Sequence, residues 1–247
     1  MVVPLPAMRF QPRFQPRVVH EDNHLLIVDK PPGMLSQGDA TGDRTILDWG
    51  KRYIKERYDK PGAVYLGLAH RLDRPTGGLI VLARTSKALS RLQPMFAARD
   101  IDKTYLAVVD GLIEDRQQAL VHFLKHDPSV KRMRVHSSER KAGAGAKRAE
   151  LSYQLLARVA GHSLLTVKPT TGRRHQIRAQ LAAAGHPIEG DLRYGAKAAL
   201  QDKSIGLHAY RLQFAHPVGK APVDVRAVPG ERHDAFKHFT DVLADMA

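Results

Sequence analysis

The run Leu79-Ile80-Val81-Leu82-Ala83 contains no polar residue and no alternation. Such a run reads as a buried strand. A strand of this kind needs a core to lie in, and 247 residues with 43% hydrophobic content can supply one. The stretch that feeds it is His70-Arg71-Leu72-Asp73-Arg74-Pro75-Thr76-Gly77-Gly78. An acidic residue sits between two arginines, and a proline and two glycines follow. A carboxylate held in a turn, flanked by cations and backed by a buried strand, suits a reactive site. It equally suits a surface turn whose Asp bonds its own backbone, so the local pattern leaves both readings open.

The remaining elements set the fold class. Apolar runs flanking an Asp-Asn turn in residues 18–30 predict a hairpin, which Lys30-Pro31-Pro32-Gly33 then breaks. Thr45 caps a helix with Ile46, Leu47, Trp49, Tyr53 and Ile54 at helical spacing, and Ser86 caps another through Leu89, Leu92 and Phe96. Strands are predicted at 65–68, 79–83, 103–109 and 207–214, and a hairpin at 151–167. Residues 125–148 read as loops or a ragged hairpin. A helix carries Ile177, Leu181 and Ala184 and stops at Gly185. Phe236, Phe239, Leu243 and Met246 share one face of a closing helix. Strands outnumber helices and do not alternate regularly with them, which predicts α+β with a mixed, largely antiparallel sheet. The division is an irregular arm at 1–17, one domain at 18–230 and a C-terminal helix at 231–247.

Lysine and arginine number 39 against 25 acidic residues, a formal charge of +14. That field favours a polyanion: RNA, DNA or an acidic membrane surface. The absence of cysteine excludes disulfides, thiolate metal sites and a Cys nucleophile. No apolar run approaches the ~20 residues of a membrane span, and residues 1–17 lack the apolar core of a secretion signal. A cytoplasmic protein is expected. No Gly-x-Ser-x-Gly elbow or Gly-rich phosphate loop is present. His20/His24 and His122/His126 have i,i+4 spacing but no acidic partner, and no metal site is expected.

What remains is Asp73 in a cationic chain. A nucleophilic Asp must be ionised, and a nearby guanidinium from Arg71, Arg74 or Arg178 would favour that state. Tyr105 can stack on a base, although an ordinary strand aromatic fits as well.

These residues carry a resemblance. His70 to Leu79 is similar to the catalytic motif of RluA-type RNA pseudouridine synthases. Three further blocks follow in family order. They are the segment from Glu21 to Gly33, then Lys103-Thr104-Tyr105-Leu106-Ala107, and finally Thr171-Gly172-Arg173-Arg174-His175-Gln176-Ile177-Arg178 with His186-Pro187-Ile188-Glu189-Gly190-Asp191 and Tyr194-Gly195. The match spans residues 18–229. It implies a pseudouridine synthase-like domain around a basic cleft, acting on ribosomal or transfer RNA without cofactor or metal. It implies that Asp73 is the essential aspartate, Tyr105 packs on the target base, and Arg178 pairs with the carboxylate. Arg71 is implied to enter the space left by the flipped base. Further RNA contacts are expected from Arg74, Arg173, Arg174, His175, Lys131, Arg132 and Arg134. Gly77 and Gly78 are expected to bring the turn close to a nucleotide. A monomer is expected. The family often has Thr-Ser-Gly where this chain has Thr76-Gly77-Gly78, and Thr where it has Arg174. Many relatives carry an N-terminal S4 domain; with 17 residues ahead of the match, a stand-alone catalytic domain is expected here. The rival reading is a catalytically inactive RNA-binding or assembly factor with the same fold. A glycosidase-like nucleosidase lacks a convincing second carboxylate.

Overall fold

The computed structural model describes residues 15–230 and 233–246. The predicted arm lies, up to residue 14, outside them, and Arg17 already belongs to a strand.

The elements run β1 (Arg17–Glu21), β2 (Leu25–Lys30), α1 (Ile46–Arg57), β3 (Gly67–Leu68), β4 (Gly77–Ala83), α2 (Ser86–Ala98), β5 (Asp102–Asp110), β6 (Gln117–Asp127) and β7 (Arg132–His136). They continue with α3 (Glu139–Ala142), β8 (Lys147–Val159), β9 (His162–Pro169), α4 (Gln176–Ala183), β10 (Leu207–Ala215), β11 (Pro222–Arg226) and α5 (Thr240–Ala244). One sheet takes all the strands in the order β1-β2-β4-β10-β5-β9-β8-β6-β7, with β3 beside β4 and β11 beside β10. Every pairing is antiparallel except β4 with β10. The expected mixed, largely antiparallel sheet is what the chain forms. Among the described residues no helix is long and apolar enough to cross a membrane.

All seven residues of β4 are buried. β2 covers one edge, while β10 and β3 share the other, and β4 packs with Ile46, Ile54, Ala88 and Leu92 of α1 and α2. Strand alternation divides β5 between two further cores. Ala107 and Val109 face Ile177 and Leu181 of α4, whereas Leu106 and Val108 face Phe236, Phe239 and Leu243. The sheet is therefore covered on both faces at its centre, where β4, β10 and β5 meet.

Local chemistry sets the element ends. Asp22 Oδ1 accepts from the backbone N–H of His24 at 2.7 Å and Leu25 at 2.8 Å, closing the β1–β2 turn. Thr45 and Asp48 form a capping box. The second cap is Thr85 rather than Ser86: its hydroxyl accepts from the Ala88 N–H at 3.1 Å. Ala160 and Gly161, both at positive φ, make the two-residue β8–β9 turn.

The basic stretch 125–148, expected as loops or a ragged hairpin, holds an ordered β6–β7 hairpin followed by α3. The expected closing helix is corrected. The closing segment is a 3-10 helix, Asp234–Phe239, followed by the short α5. A three-residue turn stacks Phe236 on Phe239, so both stay buried without a regular α-helix. Gly78 (φ +105) does bring about a close approach, but to protein. A Cβ there would lie 2.4 Å from the Ala209 carbonyl oxygen, so only glycine lets β4 run parallel against β10.

Several histidines are held neutral. His70 Nε2 accepts from the Val81 N–H at 2.9 Å and its ring stacks on Phe96; burial pushes its pKa down to about 3. Burial likewise takes His233 down to about 3 and lowers His208. Folded values below the ordinary 6.5 mean that the unfolded chain binds more protons in acid. Stability present above pH 6.5 is therefore lost as pH falls toward 3. Urea unfolding at about pH 4.5 is expected to take up about two protons through His70 and His233, with His208 contributing in the same direction, and to show a clearly lower midpoint than at pH 7. A midpoint independent of pH over that range would contradict the neutral assignment.

Candidate active site

The turn bearing Asp73 is tied down from behind. Ser36 Oγ donates to the Leu72 carbonyl at 2.7 Å and accepts from the Leu72 N–H at 3.1 Å. The Gly33 N–H donates to the Arg74 carbonyl at 2.7 Å. Fully buried Lys30 donates to the carbonyls of Met34 at 2.9 Å and Pro31 at 3.1 Å, and reaches that of Arg74 at 3.5 Å. Burial draws the Lys30 pKa down to about 7, against the pull of the Asp73 and Asp29 carboxylates. The Thr76 N–H donates to the Asp73 carbonyl at 3.1 Å and closes the turn. The Lys30-Pro31-Pro32-Gly33 turn is thus the cradle of the Asp73 loop.

From the other side comes Arg178 on α4. Its Nη1 donates to Asp73 Oδ2 at 2.8 Å. Its Nε and Nη2 grip Asp191 at 2.6 and 2.9 Å, a bidentate pair. Arg178 and Asp191 side chains are 5% and 2% exposed, Asp73 29%. Burial alone would lower the Arg178 pKa; hydrogen bonds and charge from Asp191, then Asp73, carry it above its ordinary value instead. The guanidinium is a fixed cation, and Asp73 Oδ1 accepts no hydrogen bond among the described residues.

α4 is aimed by the loop before it. Gln176 Oε1 accepts from Thr171 Oγ1 at 2.6 Å and from the Arg173 N–H at 3.0 Å, while its Nε2 donates to the Glu150 carbonyl of β8 at 2.8 Å. The Arg178 guanidinium lies 5.2 Å from the Tyr194 ring centroid.

Tyr105 sits in register with Ala209 of β10 and Val167 of β9. It is partly buried and lines the same open cleft as Asp73, Arg71, Arg173, His175 and Arg178. Burial, then the charge of Asp73, pushes its phenol pKa up, so the ring stays neutral. The arrangement places a carboxylate and a half-buried tyrosine on one open cleft, with one carboxylate oxygen held by a buried arginine and the other without a hydrogen bond among the described residues.

The structure brings Asp73, Tyr105, Arg178, Arg71, Arg173 and His175 together. Arg174 is exposed on the loop beside them. Arg74 turns to Asp43 at 2.7 Å and the Gly33 carbonyl at 3.1 Å, and so belongs to the cradle. Lys131, Arg132 and Arg134 lie on the β6–β7 hairpin outside the cleft lining, with Arg134 paired to Asp127. Asp191, Tyr194 and Lys30 stood within the recognised blocks, yet nothing local to them signalled a place in the site.

A family model described as RNA pseudouridylate synthase matches residues 24–183. Ribosomal large subunit pseudouridine synthase C of Vibrio cholerae is 33% identical over 223 residues, covering 87% of this chain and 66% of that protein. This chain thus spans about two thirds of that relative's length. Ribosomal large subunit pseudouridine synthase D of Zymomonas mobilis is 31% identical, with 95% and 76% covered. The tRNA pseudouridine synthase C of Vibrio cholerae is also 31% identical, with 85% and 89% covered. In fold, the chain is similar to human RNA pseudouridylate synthase domain containing 4, with a TM-score of 0.72 and 22% identity over 90% of this chain and 92% of that one.

Proposed function

The chain belongs to the RNA pseudouridylate synthase family, and from that premise we infer that it isomerises uridines in ribosomal or transfer RNA with Asp73 as the reacting carboxylate. The observation that carries this reading is the buried Asp191–Arg178 pair, which holds one oxygen of Asp73 and leaves the other for a ligand in the cleft. The target uridine leaves its stack and enters beside Tyr105, at a cost of a few kcal/mol that phosphate contacts offset. The bond from N1 to ribose C1′ breaks, the uracil turns, C5 bonds to C1′, the C5 proton departs to solvent and N1 takes up a proton, so that the product is an isomer of the substrate. Asp73 serves by attack on C1′, by addition to C6, or by stabilising charge on the way to a glycal. Arg178 stays beside it as a fixed cation. No group in this scheme requires a cofactor, and we place the protein in the cytoplasm as a monomer.

Tritium release from RNA labelled at uridine C5 tests the reading. Ribosomal and transfer RNA from cells lacking this gene are the two substrates to compare. Release from one pool, with pseudouridine at a discrete position, is the expected result. Tight binding without release from either pool would point to an inactive RNA-binding factor.

In this reading Arg71, Arg173 and Arg174 meet RNA at the cleft, and Lys131, Arg132 and Arg134 meet phosphates along the hairpin. Replacing those three hairpin cations by alanine is expected to weaken binding and to flatten the dependence of log Kobs on log salt by about two, since Arg134 already has Asp127. Binding titrations from about 50 to 200 mM salt measure this. An unchanged slope would place the hairpin away from RNA.

A further inference from the structure

His175 lines the cleft and its ring lies beside Asp73. It precedes α4 in the left-handed region (φ 50), and its side chain is 7% exposed. Its Nδ1 lies 3.0 Å from the Tyr194 hydroxyl. That hydroxyl also accepts the Met133 N–H of β7 at 2.9 Å; the carboxylate facing Nε2 favours a proton on that nitrogen, which leaves Nδ1 to accept the Tyr194 proton. Nδ1 is then the unprotonated nitrogen, and the imidazole proton sits on Nε2. Nε2 faces Asp73 Oδ2 at 3.7 Å, the same oxygen that Arg178 Nη1 holds at 2.8 Å. Burial lowers the His175 pKa to about 4; the Asp73 charge opposes this, and Arg178, Arg174 and Arg193 reinforce it. The ring is neutral at the pH at which RNA is modified, a donor that adds no charge.

Resting on the functional reading above, we propose that His175 is a positioning residue for Asp73: its Nε2–H captures Oδ2 as the carboxylate engages substrate, committing Oδ1 to the uridine, and Tyr194 holds the ring that makes this possible. A separation of 3.7 Å is too long for a hydrogen bond in the resting enzyme. Such contacts tighten when the reacting group turns toward its substrate. Two donors on one oxygen then set the rotation of the carboxylate. Because the Tyr194 hydroxyl is anchored by the backbone of β7, the ring's orientation depends on the seating of the β6–β7 hairpin.

The backbone supplies a control. Asn fits a left-handed position better than Gln does, but its amide replaces Nδ1 and stops short of Asp73. The amide nitrogen of Gln replaces Nε2 and reaches it. A purely structural role ranks His175→Asn above His175→Gln; the positioning role reverses that order. With uridine-C5-tritiated bulk RNA from cells lacking the gene, His175→Gln is expected to keep kcat within about threefold of wild type. His175→Asn is expected to lose about tenfold to a hundredfold in kcat with KM unchanged. Tyr194→Phe is expected to lower kcat too, and to add little on top of His175→Asn, because the two act through one ring. Equal or better kcat for Asn, a loss confined to KM, or fully additive losses would each overturn the proposal. No tritium release by the wild-type protein would overturn the functional reading, and this inference with it.

Discussion

Asp73→Asn is expected to lower turnover by about 10⁴-fold or more while leaving the Kd for RNA within about threefold. The substitution is nearly isosteric. The amide oxygen can still accept from Arg178 Nη1, and Arg178 keeps its bidentate grip on Asp191, so the buried cation is not orphaned. The clamp of Ser36 on the Leu72 backbone and the Gly33–Arg74 bond involve no atom of the Asp73 side chain. The loop therefore keeps its shape. What disappears is the negative charge and the nucleophilic oxygen of the one acidic side chain among the described residues that line the cleft. Single-turnover tritium release and equilibrium binding on the same RNA separate the two effects. Residual activity within tenfold of wild type would remove Asp73 from the chemistry. A parallel collapse of binding would mean that its role is to hold the RNA.

That Asp73 stood out, and that its supports did not, has a physical cause. A turn carrying a carboxylate between arginines and leading into an apolar strand is a local signature, as is the buried β4 it feeds. Tyr105 and Arg178 came from resemblance, and both line the cleft with it. Pairing was not legible. Arg71, Arg74 and Arg178 were equally able to neutralise Asp73 on paper, and only the fold sends Arg74 to Asp43 and brings Arg178 across 105 positions of sequence. Asp191 and Tyr194 act entirely through such long-range contacts, so no spacing rule could find them. In the sequence Lys30 only opens the break after the first hairpin; the fold wraps three carbonyls around it. The mixed sheet followed from counting elements, whereas β6 and β11 were missed: β6 is exposed along much of its length and lacks an unbroken apolar face. At 125–148 loops and a ragged hairpin both stayed open, because basic residues on an exposed strand look like those of a loop.

Asp191→Ala is expected to have the largest effect on stability of any change at the site, about 3–5 kcal/mol. Asp191 is buried and accepts two of the three hydrogen bonds that Arg178 makes to carboxylates. Removing it leaves a guanidinium in the interior with a single, partly exposed partner. The cost is the desolvation of an unpaired charge, not the modest net value of the pair when both members are present. Asp191→Asn keeps one acceptor and is expected to lose less. Activity should fall as well, by about a hundredfold or more, because Nε and Nη2 are then free to turn onto Asp73 and engage the oxygen the uridine needs. Urea unfolding with an unchanged m-value measures the first effect, and kcat at saturating RNA the second. The comparison with Asp73→Asn discriminates. If Arg178 is anchored by Asp191 and only lent to Asp73, Asp191→Ala must cost several kcal/mol and Asp73→Asn must cost far less. Equal losses would mean that the two carboxylates share the cation evenly, and that Asp73 has no oxygen to spare for substrate.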